Sequence, residues 1–244
     1  MIARGVSPSL VAPLDLTDVD LATPEKTAAN VLHALPLFLL MSVFFGGLQL
    51  AGDLTAGGRE RGSLEPLLVN PVPRGKVAVG KWLAVVASIA VAVGVALAGC
   101  AWAVARLPMQ DLWIRFRFGP QEVLGFLGAC LPLALLVAAL QMTAALFART
   151  YKEAQTYLSL MMLLPMVPAG YLALQPMKAT LPAMPVPVLG QTLLMSEVLH
   201  GAPLRIGLFL LAAVSCAFVA AVLLWWAGRL LESERIVFGR GSGS

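Results

Sequence analysis

Charged residues are scarce in this 244-residue chain: 12% of positions carry Asp, Glu, Lys or Arg, whereas 59% are hydrophobic. A soluble globular domain has about 25% charged residues, so this balance excludes that class. The net charge of +4 is small, and the basic residues form no face with interleaved aromatic residues, which excludes nucleic-acid binding. The composition therefore predicts an integral membrane protein.

Residues that usually carry enzyme chemistry are also few. His33 and His200 are the only histidines, and neither belongs to an HExxH motif or to a pair at ligand spacing, so no zinc site is predicted. An intramembrane hydrolase built on one of them stays a minor alternative. The three cysteines lie in apolar runs without CxxC spacing, which is typical of cysteines that pack as small hydrophobic residues: Cys100, Cys130 and Cys216.

A phosphate-binding loop is suggested by spacing alone at Gly75–Lys81, which fits GxxxxGK. Trp82 stands where such a loop has the Ser or Thr that binds magnesium, and the segment leads into an apolar run. We therefore predict no nucleotide site and no cofactor bound by this chain.

Long apolar runs dominate what is present. A membrane-crossing helix needs about 20 residues, and five runs approach or exceed that length. The predicted fold class is an all-α integral membrane protein with about five transmembrane helices, at residues 31–52, 77–105, 122–147, 157–174 and 204–230.

The basic residues predict an orientation. If the polar segment after the first run is cytoplasmic, ten of the seventeen Lys and Arg residues lie inside and seven outside. We expect a multi-pass protein of the inner (cytoplasmic) membrane with its N-terminus outside and its C-terminus inside. Residues 1–30 would be an extracellular stub, 31–235 the transmembrane domain and 236–244 a flexible cytoplasmic tail.

Proline and short apolar stretches predict two irregular features. Pro165 and Pro168 should kink the fourth span, since each removes a backbone donor. Between the fourth and fifth spans, residues 188–199 are apolar but too short to cross a bilayer. They are predicted to be part of an outer hairpin that is re-entrant or lies on the membrane surface.

A dense polar island at 53–81 separates the first two apolar runs. Within it, Ser63 can cap a helix, Glu65 suits its first turn, and Pro66 is tolerated there. Leu64, Leu67 and Leu68 would share one face of that helix. A two-turn helix with one apolar face can lie on the membrane or insert into a groove on a cytoplasmic partner.

The interiors of the spans contain almost no charge, which argues against an ion-coupled carrier. Glutamines are the polar side chains available to line a pathway, although interhelical hydrogen bonds are the alternative role. The candidates are Gln49, Gln141, Gln155 and Gln191.

Three segments resemble type 2 ABC exporter permeases, specifically the sodium-efflux-type branch. One is 152–157 followed by Pro165, which resembles the cytoplasmic start of that family's fifth helix, and another is 187–191, which resembles its outer hairpin. The most specific is the polar island, whose matching positions are Asp53, Thr55, Ala56, Gly57, Arg59, Glu60, Arg61, Gly62, Ser63, Leu64, Glu65, Leu67, Leu68, Pro71, Arg74, Gly80 and Lys81.

The resemblance implies a permease subunit of an ATP-driven exporter without an ATPase site of its own. It implies that residues 53–76 contain a coupling helix that fits a cleft on a cytoplasmic ABC ATPase subunit, which binds ATP and magnesium. A second permease copy or a sibling would complete the complex in the lipid bilayer. The implied ATPase-coupling residues are Glu60, Arg61, Ser63, Leu64, Glu65 and Leu68.

Two departures from the family pattern bear on this reading. Gly58 stands where the family usually has Glu. The family has six spans with a large extracellular domain after the first, and this chain is expected to begin near the end of that domain. A late start, a first helix from another chain and a five-span variant are all open. A scaffold subunit that docks a different cytoplasmic protein is the alternative function.

Overall fold

The computed structural model describes residues 24–61, 74–106, 119–175 and 177–232, and these contain helices, turns and no strand. We number the α-helices in chain order. They are α1 (Pro24–Gly52), α2 (Gly58–Glu60), α3 (Arg74–Arg106), α4 (Pro120–Phe147), α5 (Tyr151–Leu160), α6 (Met166–Leu174), α7 (Leu189–Leu199) and α8 (Ile206–Glu232). A π-helical turn, Asp53–Gly57, joins α1 to α2, and 3₁₀ turns occur at Met161–Leu163 and Leu181–Ala183.

Four helical stretches of the described chain are long and apolar enough to cross a membrane: Ala34–Glu60, Gly75–Arg106, Pro120–Phe147 and Ile206–Arg229. They correspond to the first, second, third and fifth predicted spans. The all-α membrane fold is therefore confirmed. The first helical stretch continues eight residues past the predicted end at residue 52, because the π-helical turn and α2 extend it.

The helix α4 forms the centre of the bundle. It packs against α1, α3, α5, α7 and α8. Many of its buried positions are alanines, including Ala129, Ala134, Ala138 and Ala139. Small side chains let neighbouring helices approach closely, which replaces the hydrophobic driving force that lipid cannot supply.

The fourth predicted span, residues 157–174, is divided into α5, a 3₁₀ turn and α6. Pro165 precedes the first residue of α6 and has no N–H to continue the helix from α5. The predicted interruption is thus present at Pro165. Pro168 interrupts nothing, because it is the third residue of α6, where backbone amides have no intrahelical acceptor.

The predicted outer hairpin contains one short helix, α7, which packs against α4 and α8. Val188, immediately before it, has φ 70° and ψ −51°, an unfavourable conformation for a β-branched residue. Gln191 supports this turn by accepting a hydrogen bond from the Val188 amide at 2.9 Å. Gly190 is required for close packing, since a Cβ there would lie 2.7 Å from the Met184 carbonyl oxygen.

Candidate coupling site at the end of the first helix

The polar island begins inside the bundle. After α1, the π-helical turn buries Thr55, Ala56 and Gly57, and the Thr55 hydroxyl donates to the Ala51 carbonyl at 2.5 Å. Ala56 packs with alanines and a leucine from the α4–α5 region: Ala145, Ala148, Ala154 and Leu158. The small residues of this turn thus bring the backbone of α2 close to the point where α4 ends and α5 begins.

Arg59 contacts the C-terminal end of α4. Its Nη2 donates to the carbonyl oxygens of Leu146 at 3.1 Å and Ala148 at 2.5 Å. Carbonyls at the end of a helix lack intrahelical partners and carry partial negative charge, so a guanidinium is a favourable partner for them. Arg59 is half-buried, which shields these contacts from water.

Glu60 contacts the N-terminal end of α5. One of its carboxylate oxygens accepts a hydrogen bond from the Tyr151 amide at 2.8 Å. The first amides of a helix have no intrahelical acceptor and carry partial positive charge, so the carboxylate has the favourable sign. Adjacent side chains of opposite charge therefore each bind the helix end of opposite polarity.

Lys81 is at the C-terminal end of the polar island, and its side chain makes a hydrogen bond back to the π-helical turn. Its Nζ, on α3, donates to the Leu54 carbonyl oxygen in the π-helical turn at 2.5 Å. One residue further, the Trp82 indole N–H donates to the Leu135 carbonyl of α4 at 3.0 Å. Residues 62–73 are thus flanked on both sides by segments hydrogen-bonded to the bundle.

Arg61 points to its own segment. Its Nη2 forms an ion pair with Asp53 at 2.7 Å, and its Nε donates to the Gly57 carbonyl at 3.3 Å. The Arg61 side chain is 64% exposed, so this ion pair contributes little to stability and leaves the guanidinium accessible.

The start of α5 has its own cap. The Thr150 hydroxyl accepts from the Glu153 amide at 3.2 Å, and the Glu153 carboxylate accepts from the Arg149 amide at 2.7 Å. The Tyr157 hydroxyl donates to the same carboxylate at 2.5 Å. Hydrogen bonds from Tyr157 first, and then from Arg149, lower the pKa of the Glu153 carboxyl below its usual value.

The predicted coupling residues fall into two groups. Glu60 and Arg61 lie at the end of the described segment 24–61, where both are exposed. The other four lie outside the described residues: Ser63, Leu64, Glu65 and Leu68.

The structure does not gather the four candidate glutamines at one place. Gln141 is buried and donates to the Phe44 carbonyl at 2.6 Å, and Gln191 is buried and contacts Ala212 and Cys216. Gln155 donates to the Tyr151 hydroxyl on its own helix, and Gln49 is exposed on α1. Their proposed pathway role stays a prediction.

The sequence interpretation missed the importance of Arg59 and of Glu153. Arg59 was among the residues that match the family segment, but it was not singled out as a site residue. Glu153 follows Thr150 by three positions, and this T-x-x-E spacing is typical of a capping box. Lys81 was likewise among the residues that match the family segment, and its Nζ donates to the Leu54 carbonyl oxygen.

Comparison with known proteins identifies the family of the chain. The family described as ABC-2 family transporter protein matches residues 10–225, which is most of the sequence. The chain belongs to this family. An ABC transporter permease protein, NatB of Bacillus subtilis (strain 168), is 33% identical to this member of the ABC-2 family over 173 residues. That alignment covers 69% of the chain and 45% of NatB, so the chain spans about half the length of this relative.

No solved structure matches the chain. Family membership and the four helices of membrane-crossing length together support a multi-pass membrane protein of the ABC-2 transporter family. The resemblance found at the polar island is confirmed at the level of the family.

Proposed function

We propose that this chain is the membrane permease subunit of an ATP-driven exporter and that a separate cytoplasmic ABC ATPase drives it through residues 53–76. Membership of the ABC-2 family over residues 10–225 is the observation that carries this proposal. The ATPase would bind ATP and magnesium, and a second permease copy or a sibling would complete the pathway. The orientation that fits is N-terminus outside and C-terminus inside.

The geometry at the end of α1 supports a mechanical role for the polar island. The two segments that flank residues 62–73 are hydrogen-bonded to other parts of the structure, through Arg59 and Glu60 on one side and Lys81 on the other. A helix seated between two fixed flanks can deliver a displacement to the bundle. The Leu64, Leu67 and Leu68 face predicted from the sequence would insert into the ATPase cleft.

The double variant Leu64→Asp with Glu65→Lys tests this assignment. It places a charge on the apolar face and reverses the first-turn charge, so the chain should reach the membrane but no longer retain the ATPase. The measurement is co-purification of an ABC-type ATPase from cells that co-express the two subunits, together with the rate of ATP hydrolysis. Lys178→Glu, an exposed change between α6 and α7, is the control and should retain the ATPase.

Undiminished ATPase retention and hydrolysis in the double variant would refute coupling through this segment. If the unaltered chain retains no ABC-type ATPase, the exporter assignment itself fails.

A further inference from the structure

Two neighbouring side chains of α2 bind both sides of one break in the bundle. Arg59 donates to carbonyls at the end of α4, and Glu60 accepts from the first amide of α5. Only residues 148–150 separate those two helices. We call Arg59 and Glu60, with these contacts, the latch.

The order of charges in the latch matches the order of helix ends. The C-terminus of α4 is the negative end of a helix dipole and faces a guanidinium, whereas the N-terminus of α5 is the positive end and faces a carboxylate. Exchanging the two residues would place like charge against both ends. The pairing therefore fixes the direction in which α2 sits across the break, as well as its position.

A displacement of residues 62–73 would reach the α4–α5 break through the latch. Only Arg61 separates Arg59 and Glu60 from the segment 62–73, and the two residues contact helices that are about 90 residues further along the chain. The α4–α5 break is a point at which two packed helices can change their relative angle.

We propose that Arg59 and Glu60 are positioning residues that transmit movement of residues 62–73 to the break between α4 and α5. This inference rests on the proposed function, because an ATPase supplies the movement. It adds a specific route: displacement of the segment changes the α4–α5 junction through these hydrogen bonds, and not only through packing of α1.

The first experiment asks whether the latch exists in the full chain in lipid nanodiscs without any partner. Glu60→Ala removes the acceptor for the Tyr151 amide, so exchange of that amide with deuterium should become about tenfold faster. Lys152→Gln removes an exposed charge one residue beyond Tyr151 and should leave this exchange unchanged. Unchanged exchange in Glu60→Ala would overturn the latch.

The second experiment asks whether the latch transmits movement of residues 62–73 to the break between α4 and α5. The probe is the ABC-type ATPase that is encoded nearest to this chain in its genome. It is added to the nanodiscs together with a non-hydrolysable ATP analogue. Binding should alter deuterium exchange over residues 147–156 in the unaltered chain and in Lys152→Gln. In Arg59→Gln the affinity for the ATPase should stay within about twofold while the exchange response is lost. A merely structural role would change affinity or folding, not the response alone.

Arg59→Lys covers the case in which Arg59→Gln does not fold. A lysine keeps the charge but cannot reproduce the fork of the guanidinium, so the response should be reduced and the fold retained. A full response in either folded Arg59 variant would overturn transmission by the latch. If no ATPase binds the unaltered chain, the proposed function has failed at the binding step, and the coupling role of the latch falls with it.

Discussion

At the scale of single residues, Gly47 lies at a close contact between α1, α3 and α4. A Cβ at this position would lie 2.8 Å from Val85 Cγ1 and 2.9 Å from Ile89 Cδ1, and closer still to Gln141 Oε1. That amide oxygen is buried and has no hydrogen-bond partner among the described residues. The neighbouring Gly46 carbonyl accepts from the Ser88 hydroxyl of α3 at 2.6 Å. This junction of α1, α3 and α4 is thus both polar and tightly packed.

We therefore expect Gly47→Ala to destabilise the protein by roughly 1–3 kcal/mol, because a methyl group has no space there. The measurement is Tm in detergent, monitored by tryptophan fluorescence. Gly94→Ala on α3 is the matched control, since nothing lies within 4 Å of its added Cβ. Its Tm should equal or exceed that of the unaltered protein. Equal Tm values for Gly47→Ala and the unaltered protein would contradict the close approach.

At the scale of the element, α5 depends on an ionised cap. The pKa of Glu153 is lowered in the folded protein by hydrogen bonds from Tyr157 and Arg149. A carboxyl whose folded-state pKa is depressed contributes stability above its unfolded pKa of about 4.3, and that contribution is lost as the pH falls through the folded value. The start of α5 should therefore loosen in acid.

Glu153→Gln tests the acid sensitivity of the cap. At neutral pH the variant should have a lower Tm than the unaltered protein, and the difference should shrink as the pH falls below about 4.3, where the native carboxyl becomes protonated. Thr150→Ala removes the neutral half of the cap, so its Tm deficit should not shrink with pH. A Glu153→Gln deficit that stays constant across this range would refute the role of the ionised carboxylate.

At the scale of the whole molecule, the alternation of spans predicts which ends face the same side. The α4–α5 break and the flanks of residues 62–73 meet at one end of the bundle. The chain then runs through α5 and α6 before it reaches the turn between α6 and α7. The distribution of basic residues favours the first end as cytoplasmic. Cys100, Cys130 and Cys216 are buried, so single engineered cysteines can be labelled selectively.

The orientation can be measured on intact cells with a membrane-impermeant maleimide. Lys178→Cys should be labelled from outside, because it is exposed in the turn between α6 and α7. Lys152→Cys, equally exposed at the opposite end, should be labelled only after the cells are opened. The reverse pattern would invert the proposed orientation. The polar island would then lie outside the cell, where a cytoplasmic ATPase could not bind it.

The amino-acid sequence by itself determined the membrane class, most helix positions and the family segment. Each of these depends on local properties: apolar runs of membrane length, proline at 165 and a short run of specific residues at 53–81. The N-cap at Thr150 was equally local and could have been found from the spacing to Glu153. These features need no knowledge of which helices are neighbours.

The tertiary structure alone decided the partners of the charged residues. Arg59 binds carbonyls 87 and 89 positions away, and Lys81 binds one 27 positions away, so no local pattern could specify them. The extension of α1 into a π-helical turn was missed for a related reason. Polar sequence at Asp53–Glu60 indicates a loop, but burial of its small residues against α4 and α5 stabilises a helix there, because packing supplies what intrinsic propensity does not.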